Sequence, residues 1–319
     1  MLGRAIFRDI IDPNSAVIRQ QLIAKIQPHL DPPGSLLVYT ANPGHPFAFI
    51  MSQDAPLLED LLRTLDSKVG YLMVTSPGGD PNAAEKMLIM CRGRFTDGFF
   101  VVVPNYAKSA ATMIALGGDK VLMGYLAELG PIDPQLQLSP LLGPSLPARS
   151  FIDGLENIRM KVKKEGDPVQ MYLPMLSQIR PEIIAICQSA IEDSRSFAEK
   201  WLKRYMLKGD PKQAERVAEW LSTGEKYKSH GKVIDFQEAK DILKLNVDKI
   251  DKDSELWGYI WELCLRSTQQ LQVSGGAKLF ENEKVSLTLN IDVATLPQPR
   301  EKRQPAAQPA PRPEPPQTQ

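Results

Sequence analysis

The chain has 319 residues, 38 Lys+Arg against 38 Asp+Glu, and a hydrophobic share of 43%. That length can bury a sizeable core, as one large domain or one domain with extensions. The balanced charge gives no electrostatic case for nucleic acid or an anionic membrane as a partner. The cysteines Cys91, Cys187 and Cys264 lie far apart in helical patterns, which fits reduced core thiols better than a disulfide framework or a metal site. The opening MLGRAIFRDI shows no secretory h-region, and no apolar run approaches the ~18 residues of a membrane span. The expectation is a cytoplasmic protein without metal or cofactor that meets a membrane only through a partner.

Taken in order, residues 1–30 carry Ile18, Leu22, Ile23 and Ile26 at helical spacing after an Asp12-Pro13-Asn14-Ser15 start. Residues 31–34 break that helix, 35–40 (SLLVYT) predict a strand, and 42–46 a loop leading to a second apolar run at 47–51. Over 54–65 an amphipathic helix sets Leu57, Leu58, Leu61, Leu62 and Leu65 on one stripe. Three short β-branched or apolar runs, 71–75, 99–103 and 120–123, then alternate with two helical patterns. This predicts an α/β fold, a parallel sheet of repeated β-α-β units whose chemistry gathers at the carboxyl ends of the strands. Asn82 is placed to cap the first of these helices, with Glu85 reaching back as in a capping box.

Residues 128–135 read as a Gly/Pro-rich loop and 140–147 as a mobile flap. Helical patterns follow at 150–165, 180–207, 211–221, 236–243 and 253–273, with a strand or hairpin at 277–290. In the long stretch 180–207, Ile183, Ile184, Ile186, Cys187, Ile191, Phe197 and Leu202 form a broad apolar face, suited to packing across the domain or against another subunit. From residue 296, eight prolines in 24 residues predict a disordered or polyproline tail, open to an unknown partner. The organisation is therefore an N-terminal helical segment (1–35), a core (36–150), a largely helical continuation with an oligomerisation role (151–295), and the tail (296–319).

Two features at predicted strand ends carry chemistry. Gly78-Gly79, in Ser76-Pro77-Gly78-Gly79-Asp80, lets backbone N–H groups converge on one point because no Cβ intervenes. A plain tight turn has the same composition. Ser109 sits where a strand feeds a helix, among Ala107, Ala110 and Ala111, so its hydroxyl can be exposed with the Ala110 N–H beside it. A simple N-cap serine is the structural alternative.

The stretches SPGGD with the following AAE, PNYAKSAAT and ELGPIDPQ closely resemble the serine dehydrogenase proteinase family. That family shares the Clp-protease/crotonase fold with signal peptide peptidase A and NfeD-type proteases. The likeness extends over about 36–290 and includes LSTGEKYKSHGKVIDFQEA (221–239) and KLFEN (278–282). It implies a Clp-protease/crotonase-like fold, Ser109 as nucleophile, an oxyanion hole from the Gly78-Gly79 turn and Ala110, and strand addition of a substrate peptide along that turn. It also implies a homo-oligomer, since relatives of this fold form rings or trimers.

The base is less evident. The region about one strand beyond the serine reads Gly130-Pro131-Ile132-Asp133-Pro134, without histidine, and no lysine lies between Lys120 and Lys161. Lys108 adjoins the serine, a position from which a side chain usually points elsewhere. Of the three histidines, His29 lies at the end of a surface-type helix and His45 in a loop, whereas His230 falls in the 221–239 stretch that resembles the family's own and is the preferred base, a loop histidine capping the following helix being the structural alternative. Asp133 either orients a base or holds its own loop. Glu128 and Asp80 read as solvated, and Lys161, Lys163 and Lys164 as a wet helix face. The leading reading is a serine peptidase acting on extended polypeptide; a crotonase-like enolate enzyme and a catalytically degraded scaffold are the alternatives.

Overall fold

The computed structural model describes residues 16–136, 145–177 and 179–290. The expected helix start at 12–15, residues 140–144 of the flap and the proline-rich tail lie outside them.

The first helix, α1 (Ala16–Ile26), leads to β1 (Ser35–Ala41), α2 (Asp54–Arg63), β2 (Val69–Thr75), α3 (Pro81–Arg94) and β3 (Gly98–Val103). A two-residue β4 (Tyr106–Ala107) precedes α4 (Ala110–Leu116), β5 (Lys120–Met123) and another short strand, β6 (Glu128–Leu129). The hairpin pair β7 (Gln135–Leu136) and β8 (Leu146–Pro147) introduces α5 (Ala148–Met160), a short α6 (Leu173–Leu176), the long α7 (Pro181–Arg204) and α8 (Pro211–Ser222). The described residues end with β9 (Val247–Lys249), α9 (Glu255–Ser274), β10 (Lys278–Glu281) and β11 (Ser286–Leu289).

Among the described residues, seven strands form one sheet in the order β11-β10-β1-β2-β3-β5-β9. The five from β1 to β9 are parallel, and β10 and β11 add an antiparallel edge beside β1. Every position of β1 is buried, as expected of a strand covered on both faces. Its side chains divide with period two: Leu37 and Tyr39 join a core with α2, α3, α4, α7 and α8, and Leu36 and Val38 join a second core with α1 and α9. The sheet thus draws three strands from beyond residue 245, two in the hairpin anticipated at 277–290 and one, β9, with no apolar run to announce it.

Several local expectations are corrected. Helix α3 is capped by Asp80, whose carboxylate accepts the Asn82 N–H at 2.9 Å, because Pro81 takes the first helical position where no N–H is needed. Glu85 does not reach back to a cap. It pairs with Lys200 and accepts the Trp201 indole N–H, joining α3 to α7. In α7 the apolar face is interrupted: Cys187, Phe197, Trp201 and Leu202 are buried, but Ile186 is exposed. All three cysteines are free and buried.

Candidate active site

At the carboxyl ends of β2, β3 and β5 a second, smaller ladder begins. Ser76 bridges Ala107, β4 pairs in parallel with β6, and Leu129 bridges Ile234. Four successive chain segments (76–80, 106–109, 128–133 and 230–234) therefore lie side by side at strand spacing, about 5 Å apart. Ser109, Gly78, Gly79, Asp133 and His230 are on them, and Ala110 follows the second as the first residue of α4.

Ser109 occupies the N-cap of α4, yet its side chain makes no capping hydrogen bond, and its backbone has φ 50° and ψ −120°. A non-glycine residue in that region is strained by about 1–3 kcal/mol, a distortion that clusters at functional sites. The plain N-cap role is excluded. The elements around it hold the turn: the Lys108 N–H donates to Ser76 O, Thr112 Oγ1 to Ala107 O, and Gly130 N–H to Thr112 Oγ1.

The glycine turn abuts this serine. A Cβ on Gly78 (φ 100°) would lie 2.6 Å from Lys108 O, 2.7 Å from Ser109 Cβ and 3.0 Å from Ala110 N, so only glycine permits the approach. Gly78 itself is not a free donor, because its N–H is committed to Ser76 Oγ at 3.1 Å. Its role is conformational. Gly79 (φ 151°) is held from behind by Ile50, which donates its N–H to Gly78 O and accepts the Asp80 N–H. In a parallel bridge that leaves the Gly79 N–H pointing away from Ile50. Among the described residues neither the Gly79 nor the Ala110 N–H has a protein acceptor. Backbone donors left without an acceptor in this way are groups able to stabilise a developing oxyanion.

His230 and Asp133 meet directly. The imidazole Nδ1 lies 2.7 Å from Asp133 Oδ1, the histidine side chain is 29% exposed and the aspartate 4%. The second carboxylate oxygen, Oδ2, accepts a 2.7 Å bond from the Gln135 amide, so Asp133 is fixed at both oxygens. A carboxylate on Nδ1 sets the tautomer and leaves Nε2 as the nitrogen able to take a proton. The other histidines are engaged elsewhere, His45 Nδ1 accepting the Phe47 N–H and His29 against the Tyr259 ring.

Lys108 is turned to β6, pairing with Glu128, so Glu128 is not simply solvated. Lys163 and Lys164 are exposed beyond α5. Ile50, Ser76 and Thr112 were not singled out from sequence. Ser76 carried a signal, as a small polar residue at the end of a buried strand; Ile50 and Thr112 carried none.

A parallel sheet crossed by a small ladder at its carboxyl ends, with a serine on the turn between them, is the ClpP-like α/β fold. The chain belongs to the ClpP-like SDH-type serine proteinase family, whose model matches residues 44–257. Two uncharacterized proteins of Methanocaldococcus jannaschii are similar to it. One is 29% identical over 206 residues, 63% of this chain and 62% of that protein; the other is 28% identical over 184 residues, 56% and 53%. The chain thus spans less than two thirds of the length of these relatives. Among solved structures, a membrane-bound stomatin-specific protease mutant is similar at 14% identity, covering 66% of this chain and 79% of that one, with TM-score 0.40. A second mutant, in complex with a substrate peptide, gives 17%, 76%, 83% and 0.41. No helix among the described residues is long and apolar enough to cross a membrane.

Proposed function

We propose that this protein is a serine peptidase that cleaves extended polypeptide through an acyl-enzyme at Ser109. The observation that carries this reading is the Ser109 turn: a strained serine whose hydroxyl is spared from capping, near two N–H groups without protein acceptors among the described residues. In the reaction, His230 Nε2 takes the Ser109 Oγ proton as the oxygen attacks the scissile carbonyl. The carbonyl oxygen, now negative, accepts from the Gly79 and Ala110 N–H groups, each donor being worth about 3–4 kcal/mol of barrier. The imidazolium, held by Asp133, protonates the leaving amine. Water then repeats the sequence on the ester. Catalytic hydrogen bonds in unliganded sites are often long and tighten when substrate arrives.

The polypeptide substrate would lie as an added strand along the Gly79 edge. The exposed Met171, Leu173, Met175 and Ile186 support a homo-oligomer formed through the helices after residue 150. Buried free thiols fit a reducing, cytoplasmic setting.

The test is labelling by a fluorophosphonate. Wild-type protein should label, Ser109→Ala should not, and His230→Ala should label far more slowly. Folded wild-type protein that never labels would overturn the nucleophile assignment and leave the scaffold reading in its place.

A further inference from the structure

Lys108 precedes Ser109 in sequence, and a lysine can serve as base to a serine in variants of the triad. Its geometry here assigns it different work. The ammonium lies 3.1 Å from Leu129 O, 3.3 Å from Lys232 O and 3.0 Å from Glu128 Oε1. An ammonium has three N–H donors and no acceptor; here it donates to the two carbonyls, and the Glu128 carboxylate pairs with its charge. Its donors and its charge are thus engaged by β6 and the Lys232 segment, and no contact with the serine hydroxyl is among them.

These partners are not arbitrary. Leu129 ends β6, and the chain runs from it through Gly130 to Asp133. Lys232 lies two residues beyond His230 in the segment whose Ile234 N–H also donates to Leu129 O. Lys108 thus links the residue before the serine to both segments that carry His230 and Asp133. Gly130 makes the reach possible: a Cβ there would stand 2.8 Å from Lys108 Cδ, in the path of the stem. The lysine side chain is only 17% exposed, so these bonds face limited competition from water.

Other ties already join these strands. Ala107 pairs with Leu129, Thr112 Oγ1 holds the Gly130 N–H, and Leu129 exchanges two bonds with Ile234. The ladder should therefore survive without Lys108. What would be lost is the bond nearest His230, the one to Lys232 O.

We propose that Lys108 is a positioning residue for the Ser109 reaction, its ammonium stapling the turn that carries the serine to the two loops that carry the base and its carboxylate. This rests on the reading of Ser109 and His230 given above. Lys108 touches neither substrate nor the reacting atoms; it acts by fixing how far the imidazole stands from the hydroxyl.

The experiment is fluorophosphonate inactivation resolved into kinact and KI, with melting temperature recorded for each variant. Lys108→Met should lower kinact by about 10²-fold with KI unchanged, the scale of loss from misplacing a catalytic group by about 1 Å. Lys108→Arg, which keeps the charge and some donors, should recover part of it. In a His230→Ala background, Lys108→Met should change the residual rate by less than about twofold, because the two act as one unit. An unchanged kinact in Lys108→Met, or an equal further loss without His230, overturns the proposal and leaves the labelling reaction itself intact. Should Lys108→Met not fold, Gly130→Ala carries the test, since it displaces the stem and keeps the charge; an unchanged kinact there overturns the proposal equally. Wild-type protein that never labels removes the Ser109 reading and this proposal together.

Discussion

His230 Nδ1 and Asp133 Oδ1 stand 2.7 Å apart although 97 positions separate them in the chain. Two loops of different origin meet there because β6, which leads into Asp133, is bridged through Leu129 to Ile234. The pair predicts a specific phenotype. Asp133→Asn preserves shape but presents an amide to Nδ1, which favours the tautomer with the wrong nitrogen protonated. Activity should fall by up to about 10⁴-fold, as for loss of the orienting carboxylate in a serine triad, with little change in substrate affinity. Steady-state kinetics on a peptide substrate, beside an unchanged circular dichroism spectrum, would check it. Near-normal turnover would reduce Asp133 to a brace for its own loop.

The Ser109 backbone offers a second prediction, one of stability. At φ 50° and ψ −120° a side chain is strained, and glycine is not. Ser109→Ala keeps the Cβ and the strain; Ser109→Gly releases it. Both variants should be inactive, but the glycine variant should be more stable than the alanine one by about 1 kcal/mol, after allowance for the backbone entropy glycine adds to the unfolded chain. Urea midpoints of the two proteins decide the matter. Equal midpoints would mean that the turn is not held against a conformational cost.

Much of this architecture is legible in the sequence. Strands β1, β2, β3 and β5 announced themselves as short apolar runs because a parallel sheet is covered on both faces. Gly79 and Ser109 stood out because strand ends are where such sheets keep their chemistry. Other features were not readable, for reasons that are physical. In β9 only Val247 is buried, so three residues give no periodic signal. Asn82 looked like a cap until Pro81 claimed the first helical turn and passed the role to Asp80. The partnership of His230 with Asp133 depends on a ladder contact that no local spacing encodes. Lys108 reads as an idle neighbour of the serine because its partners, two carbonyls and one carboxylate, come from segments 128–129 and 232.

Gly79→Ala tests the oxyanion turn. A methyl group at this position would overlap the backbone of Ile50, the residue that holds the turn from behind. Relief requires the turn to shift, carrying the Gly79 N–H with it. The expected result is a loss of about 10²–10³-fold in kcat, the usual effect of removing one oxyanion donor, together with a lower melting temperature. Retained kcat in a destabilised variant would show that Ala110 alone supports the reaction.

The last prediction concerns the foundation of that same turn. Lys278 Nζ lies 2.7 Å from Asp54 Oδ1 and 2.9 Å from Oδ2, and both side chains are fully buried. Asp54 Oδ2 also accepts the Met51 N–H, one residue from Ile50. Burial pushes the Asp54 carboxyl up and the Lys278 amine down, each opposed by its partner, so neither charge is at ease alone. Lys278→Met should therefore cost about 3–5 kcal/mol, the penalty of leaving one buried charge uncompensated. Adding Asp54→Leu removes the stranded charge and should restore much of the stability. It should not restore activity, because the Met51 N–H then lacks its acceptor and the segment that fixes Gly79 is released. Denaturation midpoints and labelling rates, measured on the two single variants and the double variant, separate these effects. Recovery of both together would mean that the ion pair supports the fold without supporting the site.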